Sequence, residues 1–222
     1  MKILGGRLKG RNFYMPKGIR PTQNLVRKAV FDILKDVRGS VFLDLFAGSG
    51  ALGLEALSRG AQSVVLVEKD PFCLKVIEKN CALLGCLSGG KPPDAVQRIS
   101  GDVFATIKEL AAQKSPRGDF WVIAGDVFAT IKELNRGGKK FDVVFFDPPY
   151  GQGLGKKTLK TLAAHDIVHP NSLIVAQTTA TEILPQREGR FFLLKEKRYG
   201  ASVLAIYRVM SYEPNRHLSR KL

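Results

Sequence analysis

Residues 41–53 read VFLDLFAGSGALG, and they are the most informative segment for predicting the fold. Four of the first five residues are apolar, as in a buried strand, and three glycines follow in the spacing G-x-G-x-x-G. An apolar helical pattern begins directly after them. A strand, a tight glycine turn and a helix form a binding corner, because glycine permits a sharp turn and the first helical turn has unpaired N–H groups. The stretch therefore predicts a cofactor site, and its glycine spacing also fits a dinucleotide.

Strands and helices alternate along most of the chain. Apolar residues at helical spacing follow clear helix-starting signals, and short apolar runs between them are typical of buried strands. The predicted helices include 22–34, 71–81 and 156–164, and the further strands include 63–68, 141–146 and 172–178. Alternation of this kind predicts an α/β fold, with a mostly parallel, Rossmann-like sheet of seven strands and helices on both faces.

The two ends of the chain depart from this alternation. Segments 191–199 and 201–209 predict a C-terminal antiparallel hairpin. Residues 1–20 are basic and contain several turn signals, and two interpretations fit them: a frayed basic arm, or a small hairpin that grips a phosphate backbone. We assign them as an appendage to a domain spanning 21–212, with a disordered tail at 213–222.

An acid ends the second strand. Glu68 lies twenty residues after Gly48, where a carboxylate accepts hydrogen bonds from both hydroxyls of a ribose. The spacing and the strand context fit this role better than that of an exposed acid. Glu68 is therefore a predicted ribose ligand, for a dinucleotide or for another nucleoside cofactor.

A ten-residue sequence occurs twice without a change. GDVFATIKEL covers 101–110 and 125–134, so the second copy begins 24 residues after the first. Two copies do not make a solenoid, and their identity is typical of a recent tandem duplication. Asp102 and Asp126 therefore compete for one role, that of the acid after the third strand. We favour Asp126, because its copy leads directly into the next strand.

The strand at 141–146 is followed by Asp147-Pro148-Pro149-Tyr150. Two prolines fix the backbone and remove two N–H donors, which leaves a rigid loop with outward carbonyl groups. A stiff turn alone does not explain the acid and the aromatic residue that flank the prolines. They lie at the C-terminal edge of the sheet, where ligands bind in open α/β folds. The loop is therefore a candidate catalytic site.

The net charge is the most informative feature of the composition. The 222 residues include 35 Lys and Arg against 20 Asp and Glu, which gives a formal net charge of +15 and a pI near 9.9. A basic surface can serve solubility alone, but a pI above about 9 is typical of a nucleic-acid-binding domain. The charge therefore favours a nucleic-acid partner.

Cysteine and histidine spacing and the lack of long apolar runs predict the redox state, metal content and location of the protein. Cys73, Cys81 and Cys86 lack C-x-x-C spacing and the three histidines share no metal-ligand spacing, so we expect free thiols and no metal site. No apolar run approaches the ~20 residues that span a bilayer, and the N-terminus lacks a signal-peptide core. We expect a cytoplasmic monomer that binds neither membrane nor metal.

The order of three motifs resembles a known family. The motifs are Asp44-Leu45-Phe46-Ala47-Gly48-Ser49-Gly50, Val67-Glu68-Lys69-Asp70 and Asp147-Pro148-Pro149-Tyr150. Their order is similar to the signature of class I S-adenosylmethionine-dependent amino methyltransferases. Flanking residues narrow the resemblance to the bacterial 16S rRNA guanine-N2 methyltransferases; they are residues 5–11, Arg20-Pro21-Thr22, Arg27, Phe31 and Tyr199-Gly200. The resemblance covers nearly the whole chain, and the duplicated decapeptide departs from it.

The resemblance implies roles for individual residues. S-adenosylmethionine would be the cofactor, with its methionine end at Asp44, Gly48 and Gly50, its ribose at Glu68, and its adenine at Asp126 or Asp102. Further cofactor contacts would come from Phe46, Ala47, Ser49, Lys69 and Val127. Ribosomal RNA or the small ribosomal subunit would be the partner, and the implied RNA contacts are Arg7, Lys9, Arg11, Arg20, Thr22 and Arg27.

The chemistry of the candidate loop agrees with the resemblance. An exocyclic amine is a poor nucleophile because its lone pair is delocalised into the base. Hydrogen bonds from the amine to Asp147 and to the Pro148 carbonyl would favour a localised lone pair. Tyr150, after Pro149, would stack on the base, a contact worth ~1–3 kcal/mol in single-stranded recognition. A base in a helix would first leave the stack.

Other classes of protein fit less of the sequence. A nicotinamide dehydrogenase fits the glycines and Glu68, but leaves the loop at 147–150 and the basic arm unexplained. A non-catalytic RNA-binding module fits only the charge. The main alternative is a DNA or RNA adenine-N6 amino methyltransferase, which fits the loop chemistry, although the DNA enzymes usually carry a sizeable target-recognition domain.

Overall fold

The computed structural model describes residues 1–16, 24–85 and 119–211. Its helices are α1 (Asn24–Leu34), α2 (Ala51–Ser58), α3 (Pro71–Leu84), α4 (Val127–Arg136) and α5 (Leu154–Ala163). Its strands are β1 (Val41–Leu45), β2 (Ser63–Glu68), β3 (Asp119–Ala124), β4 (Phe141–Phe146), β5 (Val168–Thr179), β6 (Arg187–Glu188), β7 (Phe191–Tyr199) and β8 (Ser202–Val209). None of these helices is both long and apolar enough to cross a membrane.

The strands form one sheet in the order β3-β2-β1-β4-β5-β8-β7-β6. The five strands from β3 to β5 in this order are parallel, and β8, β7 and β6 continue the sheet in antiparallel pairs. The predicted α/β fold with a C-terminal hairpin is confirmed. One difference is the number of strands in the described chain, which is eight rather than seven. The additional strand, β6, has two residues and is too short to produce an alternating pattern.

Strand β1 brings the three sequence motifs to one edge of the sheet. It lies between β2 and β4, and its Leu45 is opposite Val67 on one side and Phe146 on the other. Parallel strands in register end at the same edge, so the loops that follow β1, β2 and β4 lie side by side. The fold therefore places the glycine loop between Glu68 and Asp147.

Helices cover both faces of the sheet, as predicted. α1, α2 and α3 pack on one face together with residues near the N-terminus, and α4 and α5 pack on the other. The side chains of β1 alternate accordingly: Phe42 belongs to the first core, and Leu43 and Leu45 belong to the second. Both sides of β1 are thus buried, which explains its nearly continuous apolar sequence.

Residues 1–16, which we call the N-terminal segment, fold back on themselves and pack on α2. An antiparallel bridge joins Lys2 and Asn12. The Ser58 hydroxyl accepts a hydrogen bond from the Leu8 N–H at 2.9 Å and donates one to the Gly5 carbonyl at 2.6 Å. The buried apolar side chains of the segment are Ile3, Leu8 and Phe13. These contacts contradict the interpretation of a frayed arm, and contact with RNA stays a prediction.

The region around the repeated decapeptide is described only in part. The second copy supplies Gly125, Asp126 and most of α4. The first copy, with Asp102, lies outside the described residues, as do residues 87–96, Arg20, Thr22, Cys86 and the tail from residue 212. α3 ends at Leu84, beyond the predicted Cys81, and Gly85 follows it in the left-handed conformation that ends many helices.

Candidate active site

A cavity of about 400 Å³ opens at the C-terminal edge of the sheet. A volume of this order suits a small-molecule cofactor. The cavity brings together most of the residues predicted for the site: Asp44, Phe46, Ala47, Gly48, Ser49, Glu68, Lys69, Asp147, Pro148, Pro149 and Tyr150. Residues of the glycine loop, Glu68 and the loop at 147–150 therefore line the same cavity.

The glycine loop makes a tight turn from β1 into α2. Phe46, Gly48 and Gly50 all have positive φ angles, of 61°, 57° and 76°. A positive φ is uncommon for a phenylalanine, and such strained residues concentrate at functional sites. Gly53 has a different role, because a Cβ there would lie 2.3 Å from Leu66 Cδ2. The third glycine therefore permits close packing of α2 against β2.

Glu68 connects two of the loops at this edge. Its Oε2 accepts a hydrogen bond from the Gly48 N–H at 2.7 Å, and its Oε1 accepts from the N–H groups of Lys69 and Asp70 at 2.8 and 2.9 Å. The side chain lines the cavity and is 9% exposed. The carboxylate thus fixes the glycine loop against the end of β2 while it faces the ligand space.

Asp44 supplies a buried acid beneath the glycine loop. It is 2% exposed, and its Oδ2 accepts a hydrogen bond from the Gly53 N–H at 3.1 Å. Burial raises the pKa of Asp44 to about 8, the Gly53 hydrogen bond opposes this change, and the negative charges of Asp147 and Glu68 add to it. Near neutral pH this carboxyl is mainly protonated, and a cation placed beside it would favour its ionised form.

The loop at 147–150 follows β4 directly. Pro148 is buried and Asp147 is half-buried, whereas Pro149 and Tyr150 are exposed at the mouth of the cavity. The Tyr150 hydroxyl accepts a hydrogen bond from the Gln177 Nε2 at 3.1 Å. Gln177 lies on β5 and is 3% exposed, so this contact restrains the exposed aromatic ring from inside the fold.

Three predicted cofactor residues do not line the cavity. Gly50 lies at the start of α2, and Val127 is buried in the core on the opposite face of the sheet. Asp126 is exposed and caps α4, where its Oδ1 accepts from the N–H groups of Phe128 and Ala129. An adenine contact at Asp126 and a cofactor contact at Val127 stay predictions.

Several lining residues were not predicted from the sequence. Asp70 and Cys73 lie just after Glu68 in sequence, so their place at the start of α3 could have indicated that they line the cavity. The others with polar or flexible side chains, Met15, Gln177 and Ser202, come from distant parts of the chain. No local motif marks them, because their place in the cavity depends on strand order and on the N-terminal segment.

Asn80, also absent from the predicted site, holds the N-terminal segment against the glycine loop. Its side chain is fully buried. Its Oδ1 accepts from the Tyr14 N–H at 2.6 Å, and its Nδ2 donates to the carbonyls of Tyr14 and Ser49 at 3.0 and 3.1 Å. Because Met15 follows Tyr14 and lines the cavity, Asn80 helps to place one wall of the site.

The predicted RNA contacts divide into two groups. Arg7, Lys9 and Arg11 are exposed on the N-terminal segment, and their contact with RNA stays a prediction. Arg27, in contrast, was predicted wrongly as a nucleic-acid contact, because it is fully buried and lies 3.8 Å from the buried Glu55.

The surroundings of Arg27 explain its burial. The guanidinium donates to the Lys2 carbonyl and to Asn24 and lies over the Phe13 ring, while burial lowers its pKa. Arg27 therefore anchors the N-terminal segment to the domain.

The cysteines and the potential metal ligands bear on the predicted thiols and on the predicted lack of a metal site. Among the described residues, Cys73 and Cys81 are buried and neither forms a disulfide. Within the described ranges, no group of three or more His, Cys, Asp or Glu side chains is arranged to hold a metal ion.

Comparison with known proteins identifies the family. A family model described as Conserved hypothetical protein 95 matches residues 1–117 and 95–208, and the two matches overlap around the first decapeptide. The chain is 31% identical over 210 residues to Ribosomal RNA small subunit methyltransferase D of Escherichia coli K12, covering 93% of this chain and 89% of the relative. It is 30% identical to the protein of the same name from Haemophilus influenzae, over 93% of each chain.

A solved structure extends this similarity to three dimensions. The putative methyltransferase yhhF from Escherichia coli matches with a TM-score of 0.72 and 28% identity, covering 96% of this chain and 99% of that one. The resemblance predicted from the three motifs is confirmed at the level of the family. The chain belongs to the Conserved hypothetical protein 95 family, and it is similar over nearly its whole length to relatives named Ribosomal RNA small subunit methyltransferase D.

Proposed function

We propose that this protein is an S-adenosylmethionine-dependent methyltransferase that modifies the exocyclic N2 amine of a guanine in 16S ribosomal RNA. The observation that carries the proposal is the shared cavity, in which Asp147 and Tyr150 lie beside the glycine loop and Glu68. The names of the relatives support a methyltransferase with a ribosomal RNA substrate. The guanine N2 atom comes from the resemblance in sequence.

The cavity fits the proposed cofactor. Asp44 is a buried carboxyl with a raised pKa, and the amino group of the methionine end is a cation that would stabilise its charge. Glu68 and Lys69 both line the cavity, and the Glu68 carboxylate would accept hydrogen bonds from the ribose. When bound, S-adenosylmethionine supplies a methyl group already activated by its positive sulfur. Catalysis by this chain then depends on positioning and electrostatics.

The loop at 147–150 would orient the amine. The Asp147 carboxylate and the Pro148 carbonyl are acceptors, and each would take one N–H of the target amine. This arrangement favours a lone pair that points into the cofactor end of the cavity. Tyr150, restrained by Gln177, would stack on the base after it leaves its helix.

The RNA would approach across the N-terminal segment. Arg7, Lys9 and Arg11 are exposed there, and we assign to them, with Arg20 and Thr22, contacts to phosphates. Adenine recognition is assigned to Asp126, with Asp102 as the alternative, and Val127 is assigned a further cofactor contact. A ribosomal RNA substrate also places the enzyme in the cytoplasm, where ribosomes assemble.

An adenine-N6 methyltransferase is the second candidate, because the same loop suits any exocyclic amine. The test is transfer of a labelled methyl group to undermethylated 16S rRNA, small ribosomal subunits and duplex DNA under identical conditions. We expect incorporation into the ribosomal substrates. Preferential labelling of DNA would contradict the proposal.

A further inference from the structure

The outer face of α3 carries an unusual set of exposed side chains. Phe72, Lys75, Lys79 and Leu83, which we call the α3 stripe, are separated by three, four and four positions and so share one side of the helix. The stripe runs about 16 Å along the helix, at 1.5 Å per residue. Phe72 is 74% exposed and Leu83 is 42% exposed.

The stripe begins at the cavity. Phe72 lies in the first turn of α3, between Asp70 and Cys73, which both line the cavity. An exposed aromatic ring beside a binding site offers a flat apolar surface on which a nucleobase can stack. The position of Phe72 suits a base or a ribose next to the target nucleotide.

The other end of the stripe joins the N-terminal segment. The Arg11 Nη2 donates to the Leu83 carbonyl at 3.2 Å, and Asn80 holds Tyr14 to the same helix. Tyr14 is 56% exposed, which adds a second aromatic ring to this surface. The segment and the stripe are therefore one continuous surface rather than two separate patches.

The charge of this surface selects its partner. In the part of the chain that the structure describes, neither Lys75 nor Lys79 forms an ion pair, and the stripe contains no acid. Lysine is depleted in protein–protein interfaces, whereas basic grooves interleaved with aromatic rings are typical of single-stranded nucleic-acid binding. A polyanion with exposed bases is the complementary ligand.

We propose that the α3 stripe extends the RNA-binding surface of the N-terminal segment and guides the rRNA strand that flanks the target base into the cavity. Lys75 and Lys79 contact phosphates, and Phe72 stacks on a base. This inference rests on the proposed function, because it assumes that the cavity acts on ribosomal RNA.

The test measures the affinity of the full-length protein for unmodified 16S rRNA over a range of salt concentrations. K75Q/K79Q is compared with K132Q/K160Q, which removes two exposed lysines from α4 and α5 on the opposite face. Loss of two phosphate contacts is expected to reduce the slope of log affinity against log salt by about 1.4 for a single strand. The control variant is expected to keep the wild-type slope.

Phe72 gives an independent signature. F72A is expected to weaken RNA binding about tenfold without changing the salt slope, because stacking involves no phosphate. Ile183, 75% exposed, is the matched control, and I183A is expected to bind as the wild type does. All variants should keep the thermal stability and the S-adenosylhomocysteine affinity of the wild type, because the altered side chains are on the surface.

Two results would overturn the inference. One is that the α3 variants and their controls bind 16S rRNA equally, with equal salt slopes. The other is a loss that occurs only with assembled small subunits, which would assign the stripe to a ribosomal protein. Methyl transfer by the wild type to the same RNA is measured in parallel. Absence of methyl transfer by the wild type would contradict the proposed function. The RNA affinities of the α3 variants and their controls test the role of the stripe separately.

Discussion

The Glu68 carboxylate accepts a hydrogen bond from the Gly48 N–H at 2.7 Å, across the ends of β2 and β1. The same side chain accepts from the N–H groups of Lys69 and Asp70. The acid that the sequence assigns to a ribose therefore also fixes the loop that would hold the methionine end of the cofactor. We therefore predict that cofactor binding and the geometry of the glycine loop both depend on Glu68.

Glu68→Ala should therefore weaken cofactor binding and the fold together. We expect the Kd for S-adenosylhomocysteine to rise at least tenfold, and the free energy of unfolding to fall by about 1–3 kcal/mol as backbone N–H groups lose their acceptor. Calorimetry and denaturant unfolding measure the two effects. Asp142→Ala is the control, because Asp142 accepts from the Val41 N–H at the opposite edge of the sheet. Equal Kd values for the two variants would refute the assignment.

Asp44 should make cofactor binding depend on pH. Its pKa of about 8 leaves the carboxyl protonated at pH 6, whereas contact with an ammonium group needs the carboxylate. The Kd should fall about tenfold per pH unit between pH 6 and 8 and level off above, with one proton released on binding. Calorimetry in buffers of different ionisation enthalpy counts that proton. A pH dependence unchanged in Asp44→Asn would contradict this role.

The same raised pKa has a consequence for stability without cofactor. A group whose pKa rises on folding contributes most below its ordinary value of 3.8, and this contribution is lost as the pH rises to about 8. The free energy of unfolding of the wild type, measured relative to that of Asp44→Asn, should therefore fall as the pH rises from 3.8 to about 8.

Asp147 should affect the chemistry more than cofactor binding. Asp147→Ala removes one acceptor for the target amine, and we expect methyl transfer to fall at least a hundredfold. The Kd for S-adenosylhomocysteine should stay within a few-fold of the wild type. Single-turnover transfer and calorimetry separate the two quantities. Loss of cofactor binding in this variant would place Asp147 in the cofactor site instead.

The duplication leaves two acids for one role. Asp126 follows β3 directly, whereas Asp102 belongs to the other copy of the decapeptide. We expect Asp126→Ala to raise the cofactor Kd more than Asp102→Ala does. Because Asp126 also caps α4, its variant should lose about 1 kcal/mol of stability as well. A larger increase in cofactor Kd for Asp102→Ala than for Asp126→Ala would assign the adenine contact to Asp102 instead.

Motifs contained in short segments could be predicted well. The stretch 41–53, Glu68 and the loop at 147–150 each combine a strand end with its following turn, so their geometry follows from local sequence. Parallel register then brings the three together. The expected sheet and hairpin follow from the same alternation.

Contacts between distant segments could not be predicted in this way. Arg27 reads as a solvent-facing residue of α1, yet Glu55 and the N-terminal segment enclose it. Asn80 reads as a polar position in a helix, although its three hydrogen bonds join α3 to Tyr14 and Ser49. Their roles depend on tertiary packing, for which the sequence carries no local signal.

Identification of the methylated nucleoside is the most direct test of the proposal that the protein methylates a guanine N2 amine in 16S rRNA. Unmodified 16S rRNA is incubated with the protein and S-adenosylmethionine, digested to nucleosides and analysed by mass spectrometry against standards. We predict N2-methylguanosine with the wild type and none with Asp147→Ala. N6-methyladenosine as the product would contradict it.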